Sequence, residues 1–196
     1  MMSQHPDFSS RNAADGVNVL FSHRWSPRAF KKTPIPIEII ESIFDAARWS
    51  PSCFNEQPWF FVTSSNENDF KTYLSLLNES NQQWAKNAGL IGFIFAKKTF
   101  THNGSDNNKA KFDCGAAWMS LTLQANMHGL HTHGIGGIDY ANVYTSLKVS
   151  PEDYDIICGF ALGEIDQPST LPDELNAKET PSGRNPLGSI WQSGIR

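Results

Sequence analysis

The sequence of 196 residues is poor in cysteine, in long apolar runs and in excess positive charge. Its three cysteines, Cys53, Cys114 and Cys158, are scattered and odd in number, so no disulfide framework is predicted and a reducing, cytoplasmic setting is favoured. The longest apolar run, residues 89–96, falls far short of the roughly 20 residues that span a bilayer, and residues 1–16 lack the apolar segment of a signal peptide. A net charge of −4 argues against nucleic-acid binding and against a polybasic membrane-binding surface.

Several common catalytic and nucleotide-binding motifs are also missing. The sequence contains neither the GxGxxG fingerprint of dinucleotide-binding folds nor a P-loop, and it has no GxSxG nucleophile motif. Cys53 has no adjacent histidine pattern, so it is interpreted as a structural cysteine rather than a nucleophile. We therefore assign no catalytic residue.

The pattern along the chain predicts a polar leader at 1–19 and a single domain at 20–196. Apolar residues recur at helical spacing in Ile40, Ile43, Phe44 and Ala47, and this helix is expected to stop at Pro51. The other predicted elements are strands at 59–63, 89–96 and 156–165, a polar helix at 67–86 and a helix at 113–128. Their irregular alternation favours α/β or α+β layers.

The predicted helix at 113–128 is apolar on two sides. One row contains Ala117, Leu121 and Ala125, and a second row contains Ala116, Met119, Leu123 and Met127. A helix that is apolar on more than one side is expected to be buried, and in so small a chain the second row favours a place at a subunit interface.

Cationic and hydroxyl side chains are concentrated in HRWSPRAF, residues 23–30. Arg24, Ser26 and Arg28, together with the late Arg184, lie outside the periodic segments and could bind phosphate, because guanidinium forks match pairs of phosphate oxygens. Surface salt bridges with the 20 acidic residues are the alternative interpretation of each arginine.

Two further segments allow more than one interpretation. In PSCFNEQPW, Ser52, Asn55 and Gln57 could recognise the edge of a planar ring or could simply form a turn. The spacing of His128, His131 and His133 is compatible with metal ligands, although no Cys or Glu completes a set. The glycines that follow in HTHGIGGID fit a close approach of the backbone to a flat ligand.

In their order along the chain, these motifs resemble the nitroreductase family of flavin enzymes. The resemblance rests on HRWSPRAF, AARWSPSCFNEQPW, the HGL that ends the 113–128 helix, GIGGID, GFALGE and SGRNPL, and it runs from about Arg24 to Leu187. It implies an α+β sandwich, with a mainly antiparallel sheet flanked by helices. It also implies an intertwined homodimer with two FMN sites at the subunit interface, which would explain the two apolar sides of the 113–128 helix.

The resemblance also implies which residues contact FMN. HRWSPRAF would hold the phosphate, the ribityl chain and part of the ring, with Trp25 in a position where Arg or His is common. PSCFN would reach the flavin of the partner subunit, and Trp84 occupies a position that can contact the nicotinamide nucleotide. The implied cofactor-binding residues are Arg24, Trp25, Ser26, Arg28, Pro51, Ser52, Cys53, Asn55, Asn81, Gly136, Gly137 and Arg184.

The implied activity is a ping-pong transfer of hydride from NADH or NADPH, through FMN, to a small organic acceptor of the nitroaromatic, quinone or flavin type. A cation near the N1–C2 edge of the flavin would stabilise its reduced form, a role open to Arg24 or Arg28. Specialised flavin chemistry, such as flavin fragmentation or reductive dehalogenation, is one alternative. A non-catalytic flavin-binding sensor is another.

Overall fold

The computed structural model describes residues 6–195 and contains one five-stranded sheet. Every neighbouring pair of strands is antiparallel. The last strand, β5, pairs with β1, β3 and β4, and β2 pairs with β3. The strands are β1 (Phe30–Lys31), β2 (Trp59–Thr63), β3 (Leu90–Lys97), β4 (Leu130–Ile135) and β5 (Tyr154–Ile165).

Helices cover both faces of this sheet, which confirms the predicted α+β sandwich. They are α1 (Val19–His23), α2 (Ile37–Arg48), α3 (Glu67–Ser75), α4 (Glu79–Ala85), α5 (Ala110–Met127), α6 (Tyr140–Leu147) and α7 (Asp173–Asn176). None of the helices in the described part of the chain has the length and apolar character needed to cross a membrane.

The strand β3 lies between two apolar layers because its side chains alternate between the faces of the sheet. Leu90 and Ile94 pack with α2 and α5, whereas Ile91 and Phe93 belong to the layer that contains residues of α3, α4 and α6. This double burial explains why the strand is a continuous apolar run rather than an alternating one.

The helix α5 buries only one of its two apolar sides within the chain. Ala117, Leu121 and Ala125 are fully buried against the sheet and α2. The second side is open, with Phe112 and Met127 exposed by 79% and 60%. A single chain therefore buries the first row only, and the place of α5 at a subunit interface stays a prediction.

The predicted helix at 67–86 is also wrong, because the structure divides it into α3 and α4. The chain turns inward at Leu76 and Leu77, which are buried, and Leu77 forms an isolated β-bridge with Ile138. Asn78 then begins α4, since its side chain accepts a hydrogen bond from the backbone N–H of Asn81. The break places Asn78 and Asn81 beside the end of β4.

Candidate functional site

The segment HRWSPRAF runs in extended form from α1 to β1. Trp25, Pro27 and Ala29 are buried, whereas Arg24, Ser26 and Arg28 between them are partly exposed. This alternation with a period of two places the three polar side chains on one side of the segment. Arg24 donates a hydrogen bond from Nη1 to Ser26 Oγ at 3.2 Å. Trp25 is 5% exposed, so only its backbone is available to a ligand.

Arg24 lies close to two other arginines. Burial lowers its pKa, and the positive charges of Arg184 and Arg11 lower it further. Among residues 6–195, no carboxylate lies within ion-pair distance of Arg11, Arg24 or Arg184. The structure therefore brings the charge of Arg184 close to the motif 160 residues earlier and adds Arg11, which sequence patterns did not reveal. The role of Arg184 at a phosphate stays a prediction.

Arg28 differs from Arg24 because it has a counter-ion. Its Nη1 lies 3.8 Å from Oε2 of Glu179, which is 6% exposed. Oε1 of Glu179 accepts hydrogen bonds from the backbone N–H groups of Arg28 and Ala29, the latter at 2.8 Å. Glu179 thus fixes the end of HRWSPRAF and partly neutralises Arg28. No sequence pattern pointed to this residue.

The histidines of β4 pack against the same segment. Nδ1–H of His133 donates to the carbonyl of Pro27 at 2.8 Å, and its ring lies 4.6 Å from that of Trp84. Burial, helped by the nearby charge of Arg28, lowers the pKa of His133 to about 4 against the opposing effect of the bond to Pro27. Residues 6–195 contain no group of three or more side chains suited to hold a metal ion.

The partly buried His133 predicts a loss of stability in mild acid. An unfolded histidine binds a proton near pH 6.5, whereas the folded one does so near pH 4. Unfolding therefore takes up a proton between these values, and the free energy of unfolding falls as the pH drops from about 6.5 to about 4. Urea unfolding should show a shallower pH dependence in His133→Asn, whose amide can still donate to Pro27. The exposed control His102→Gln should retain the steeper one; equal slopes in all three proteins would contradict the prediction.

Gly136 and Gly137 follow β4 and face different surroundings. The carbonyl of Gly137 accepts hydrogen bonds from the backbone N–H of Asn78 at 2.9 Å and from Nδ2 of Asn81 at 3.3 Å. A Cβ atom on Gly137 would lie 2.3 Å from Asn78 Nδ2, whereas one on Gly136 meets nothing within 4 Å in the described chain. Gly137 thus accommodates α4, and Gly136 presents bare backbone to open space.

The two glycines form a matched pair for mutation. Gly137→Ala should displace the Asn78 side chain that caps α4, and should lower the free energy of unfolding by about 1–2 kcal/mol. Gly136→Ala should change it by less than about 0.5 kcal/mol. Urea unfolding measures both, and an equal cost for the two variants would refute this account of Gly137.

Trp84 cannot contact a nicotinamide nucleotide as its position suggested. Its side chain is 1% exposed and lies between the rings of Phe30 and His133, at 6.2 and 4.6 Å. Its Nε1 donates to Oδ1 of Asn81 at 3.3 Å. Trp84 therefore belongs to the core and orients Asn81.

The PSCFN segment forms a tight turn after α2. Ser52 Oγ accepts a hydrogen bond from the backbone N–H of Gln57 at 2.9 Å, and the N–H of Cys53 donates to the buried Asp113 at 3.1 Å. Phe54, Asn55 and Gln57 all have left-handed φ values, at 53°, 57° and 50°. Such angles are costly outside glycine and are concentrated at functional sites. Pro51 and Asn55 are exposed.

In the described part of a single chain, the predicted cofactor-binding residues form three groups. The first contains Arg24, Ser26, Arg28 and Arg184, and the second contains Gly136, Gly137 and Asn81. These two groups are connected through the hydrogen bond from His133 to Pro27. The PSCFN turn is anchored to α5 instead, and no hydrogen bond in the described chain connects it to the arginines. A cavity of about 520 Å³ lies elsewhere, between the β1–α2 connection and the start of α3.

The comparisons with known proteins agree with this fold. The model of the nitroreductase family matches residues 21–83 and 63–164. A crystal structure of an oxidoreductase containing FMN is 40% identical, with a TM-score of 0.89 over 94% of this chain and 95% of that one. A protein of Exiguobacterium sibiricum in complex with FMN shares the fold at 18% identity, with a TM-score of 0.76 over 94% of this chain and 100% of that one.

Similarity to curated proteins is more distant. Iodotyrosine deiodinase 1 of Rattus norvegicus is 25% identical over 165 residues, which cover 83% of this chain and 53% of the deiodinase. This chain thus spans about half the length of the curated relative that it matches. The family match covers most of the sheet and the helices that flank it, and we conclude that the chain belongs to the nitroreductase family.

Proposed function

We propose that this protein is an FMN-dependent oxidoreductase that uses NADH or NADPH to reduce a small organic acceptor, such as a nitroaromatic compound, a quinone or a flavin. The observation that carries the proposal is the cluster of Arg24 and Arg184, which has no carboxylate partner in the described chain. The 40% identity to an FMN-containing oxidoreductase supports the same assignment.

The arginine cluster fits the phosphate end of FMN. Buried or half-buried cations are costly without an anion, and a phosphate monoester supplies close to two negative charges at neutral pH. Arg24 presents planar donors suited to phosphate oxygens. Ser26 Oγ accepts from Arg24, which leaves its O–H free to donate to a phosphate oxygen.

The end of β4 fits a flat ring. Gly136 offers exposed backbone without a side chain, while Asn81 is held in place by bonds to Gly137 and Trp84. The strained PSCFN turn would complete the site from the partner subunit of a homodimer. The open apolar side of α5, which includes Phe112 and Met127, supports that assembly. In this proposal, residues 20–196 form one FMN-binding domain and 1–19 remain a leader.

Arg24, Ser26 and Arg184 would hold FMN by its phosphate, and the bound cofactor would supply ping-pong hydride-transfer chemistry between the nicotinamide and the acceptor. The chain's part is to bind, orient and stabilise charge. A cation at Arg24 or Arg28 would favour negative charge on the nearby ring edge. Burial raises the pKa of Cys114 to about 12 and that of Cys158 to about 11, so both thiols stay protonated at neutral pH and neither is available as a thiolate nucleophile.

A visible absorption spectrum before and after anaerobic NADH, and then NADPH, tests the proposal. Flavin bands that bleach with either donor, over repeated turnovers with an acceptor, are the expected result. Bands that bleach with neither would instead favour a flavin-binding sensor. A colourless protein that does not take up FMN would refute the assignment.

Reductive dehalogenation is a second candidate, supported by the match to iodotyrosine deiodinase 1 over 83% of this chain. Iodide release from iodotyrosine by the chemically reduced holoprotein would favour it over the first candidate. Nitroaromatic or quinone reduction without iodide release would exclude it.

A further inference from the structure

We infer that Arg11, in the leader, is a positioning residue that holds Arg24 and Arg184 around the phosphate of the cofactor and so sets a preference for FMN over riboflavin. This inference rests on the proposed function. It assigns a role to a segment that sequence patterns identified only as a polar leader.

One guanidinium group connects three distant parts of the chain. Nη1 of Arg11 donates to the carbonyls of Ser22 and Arg24, both at 2.7 Å. Its Nε donates to the carbonyl of Ser182 at 2.9 Å, across a sequence separation of 171 residues. Only the fixed fork of an arginine can make these bonds together, because a lysine carries its donors on a single nitrogen.

Ser182 transmits this connection to Arg184. Its carbonyl, which accepts from Arg11, also accepts from Nη1 of Arg184 at 3.3 Å, and its Oγ accepts from the same nitrogen at 3.2 Å. The side chain of Arg184 is exposed, and its position is defined by these bonds together with a shorter one, at 2.8 Å, from the same nitrogen to the carbonyl of Gly183. Arg11 thus fixes the backbone at Arg24 on one side and the loop of Arg184 on the other.

The charges of the three arginines indicate what lies between them. Nη2 of Arg11 is buried without a hydrogen-bond partner among residues 6–195, and no carboxylate of that range pairs with Arg11, Arg24 or Arg184. Burial and the charge of Arg184 lower the pKa of Arg11, as they do that of Arg24. Three guanidinium groups held together in this way favour an anion of more than one charge, which a phosphate monoester provides and riboflavin does not.

The leader has a second anchor that does not depend on the hydrogen bonds of Arg11. The ring of Phe8 stacks on that of His23, with centroids 4.4 Å apart and an interplanar angle of 7°. The Arg11 guanidinium lies 5.5 Å from the same Phe8 ring. The Phe8–His23 contact should keep the leader in place when Arg11 is replaced, so that a variant reports on the arginine cluster rather than on release of the leader.

The test is to titrate full-length wild type, Arg11→Gln and Arg11→Lys, each as apoprotein, with FMN and with riboflavin, following flavin fluorescence. Both variants should lose at least tenfold in affinity for FMN and less than about twofold for riboflavin. Arg48→Gln is the control, because Arg48 forms an exposed pair with Asp45 on α2 and should change neither affinity.

The possible results distinguish a failure of the role inferred for Arg11 from a failure of the proposed FMN-dependent function. If wild type prefers FMN and the variants keep the same FMN-to-riboflavin ratio, the role of Arg11 is refuted while the proposed function stands. A parallel loss for both ligands also refutes it, since a general structural defect does not discriminate. If wild type binds neither flavin, the proposed function fails and this inference fails with it. Should Arg11→Gln not fold, Arg11→Lys, which keeps the charge and the aliphatic stem, decides the question.

Discussion

Arg24→Gln is expected to weaken FMN binding by about ten- to a hundredfold without lowering the stability of the apoprotein. The loss follows from removing charge-assisted hydrogen bonds, each of which contributes about 1.5–3 kcal/mol. The apoprotein should be no less stable, because the charge of Arg24 is half-buried and repelled by Arg11 and Arg184. Isothermal titration measures the first effect and thermal unfolding of the apoprotein the second.

The combination of weaker binding and unchanged or higher stability distinguishes a ligand-binding arginine from a structural one. Arg48→Gln, on the exposed side of α2, should leave FMN affinity unchanged. Arg28→Gln should have a smaller effect than Arg24→Gln because Glu179 already pairs with Arg28. If neither Arg24→Gln nor Arg28→Gln altered FMN retention or the rate of flavin reduction, the phosphate site proposed for HRWSPRAF would be refuted.

Glu179→Ala is expected to lower the free energy of unfolding by roughly 3 kcal/mol. The substitution leaves the backbone N–H groups of Arg28 and Ala29 without an acceptor and removes the counter-ion of Arg28. Urea denaturation monitored by tryptophan fluorescence measures the change.

Two further variants test why Glu179→Ala should lower the free energy of unfolding. Glu179→Gln keeps an oxygen acceptor for both N–H groups but loses the charge, so it should cost about half as much. Glu174→Ala, at an exposed position on α7, should cost less than about 0.5 kcal/mol. A cost for Glu179→Ala no greater than that for Glu174→Ala would show that the tail does not anchor HRWSPRAF.

The sequence predicts those strands that are marked by a short run of branched and aromatic residues. The strand at 59–63 is correct, and β3 and β5 begin or end within two residues of their predicted limits, because runs of branched and aromatic residues bounded by turns identify strands. The break at Leu76 escaped detection because polar helix-formers continue on both sides of it, and only the tertiary contact of Leu77 with Ile138 shows why the chain turns there. The apolar pattern of residues 140–147 does not by itself indicate α6, although Asp139 supplies an N-cap signal.

The residues of the candidate site also differ in whether the sequence predicts them. HRWSPRAF could be singled out because its polar residues alternate with apolar ones within one short segment. Arg11, Asn78 and Glu179 could not, since each acts through partners 11 to 171 residues away that no periodicity links to it. The packing of Gly137 against Asn78 could not be predicted for a related reason, because the two residues are distant in the sequence.

The central place of β5 affects how the protein is made. Its partners β1, β3 and β4 all precede it in the chain, and β1 does so by more than 120 residues. At translation rates of about 5–20 residues per second, a nascent chain spends on the order of 10 s with β1 and β3 synthesised but unpaired with β5. During that interval the apolar β3 lacks one neighbour and the arginine cluster lacks its C-terminal member. From this topology we expect folding to depend on chaperones at elevated temperature, and chains truncated before Tyr154 to form inclusion bodies.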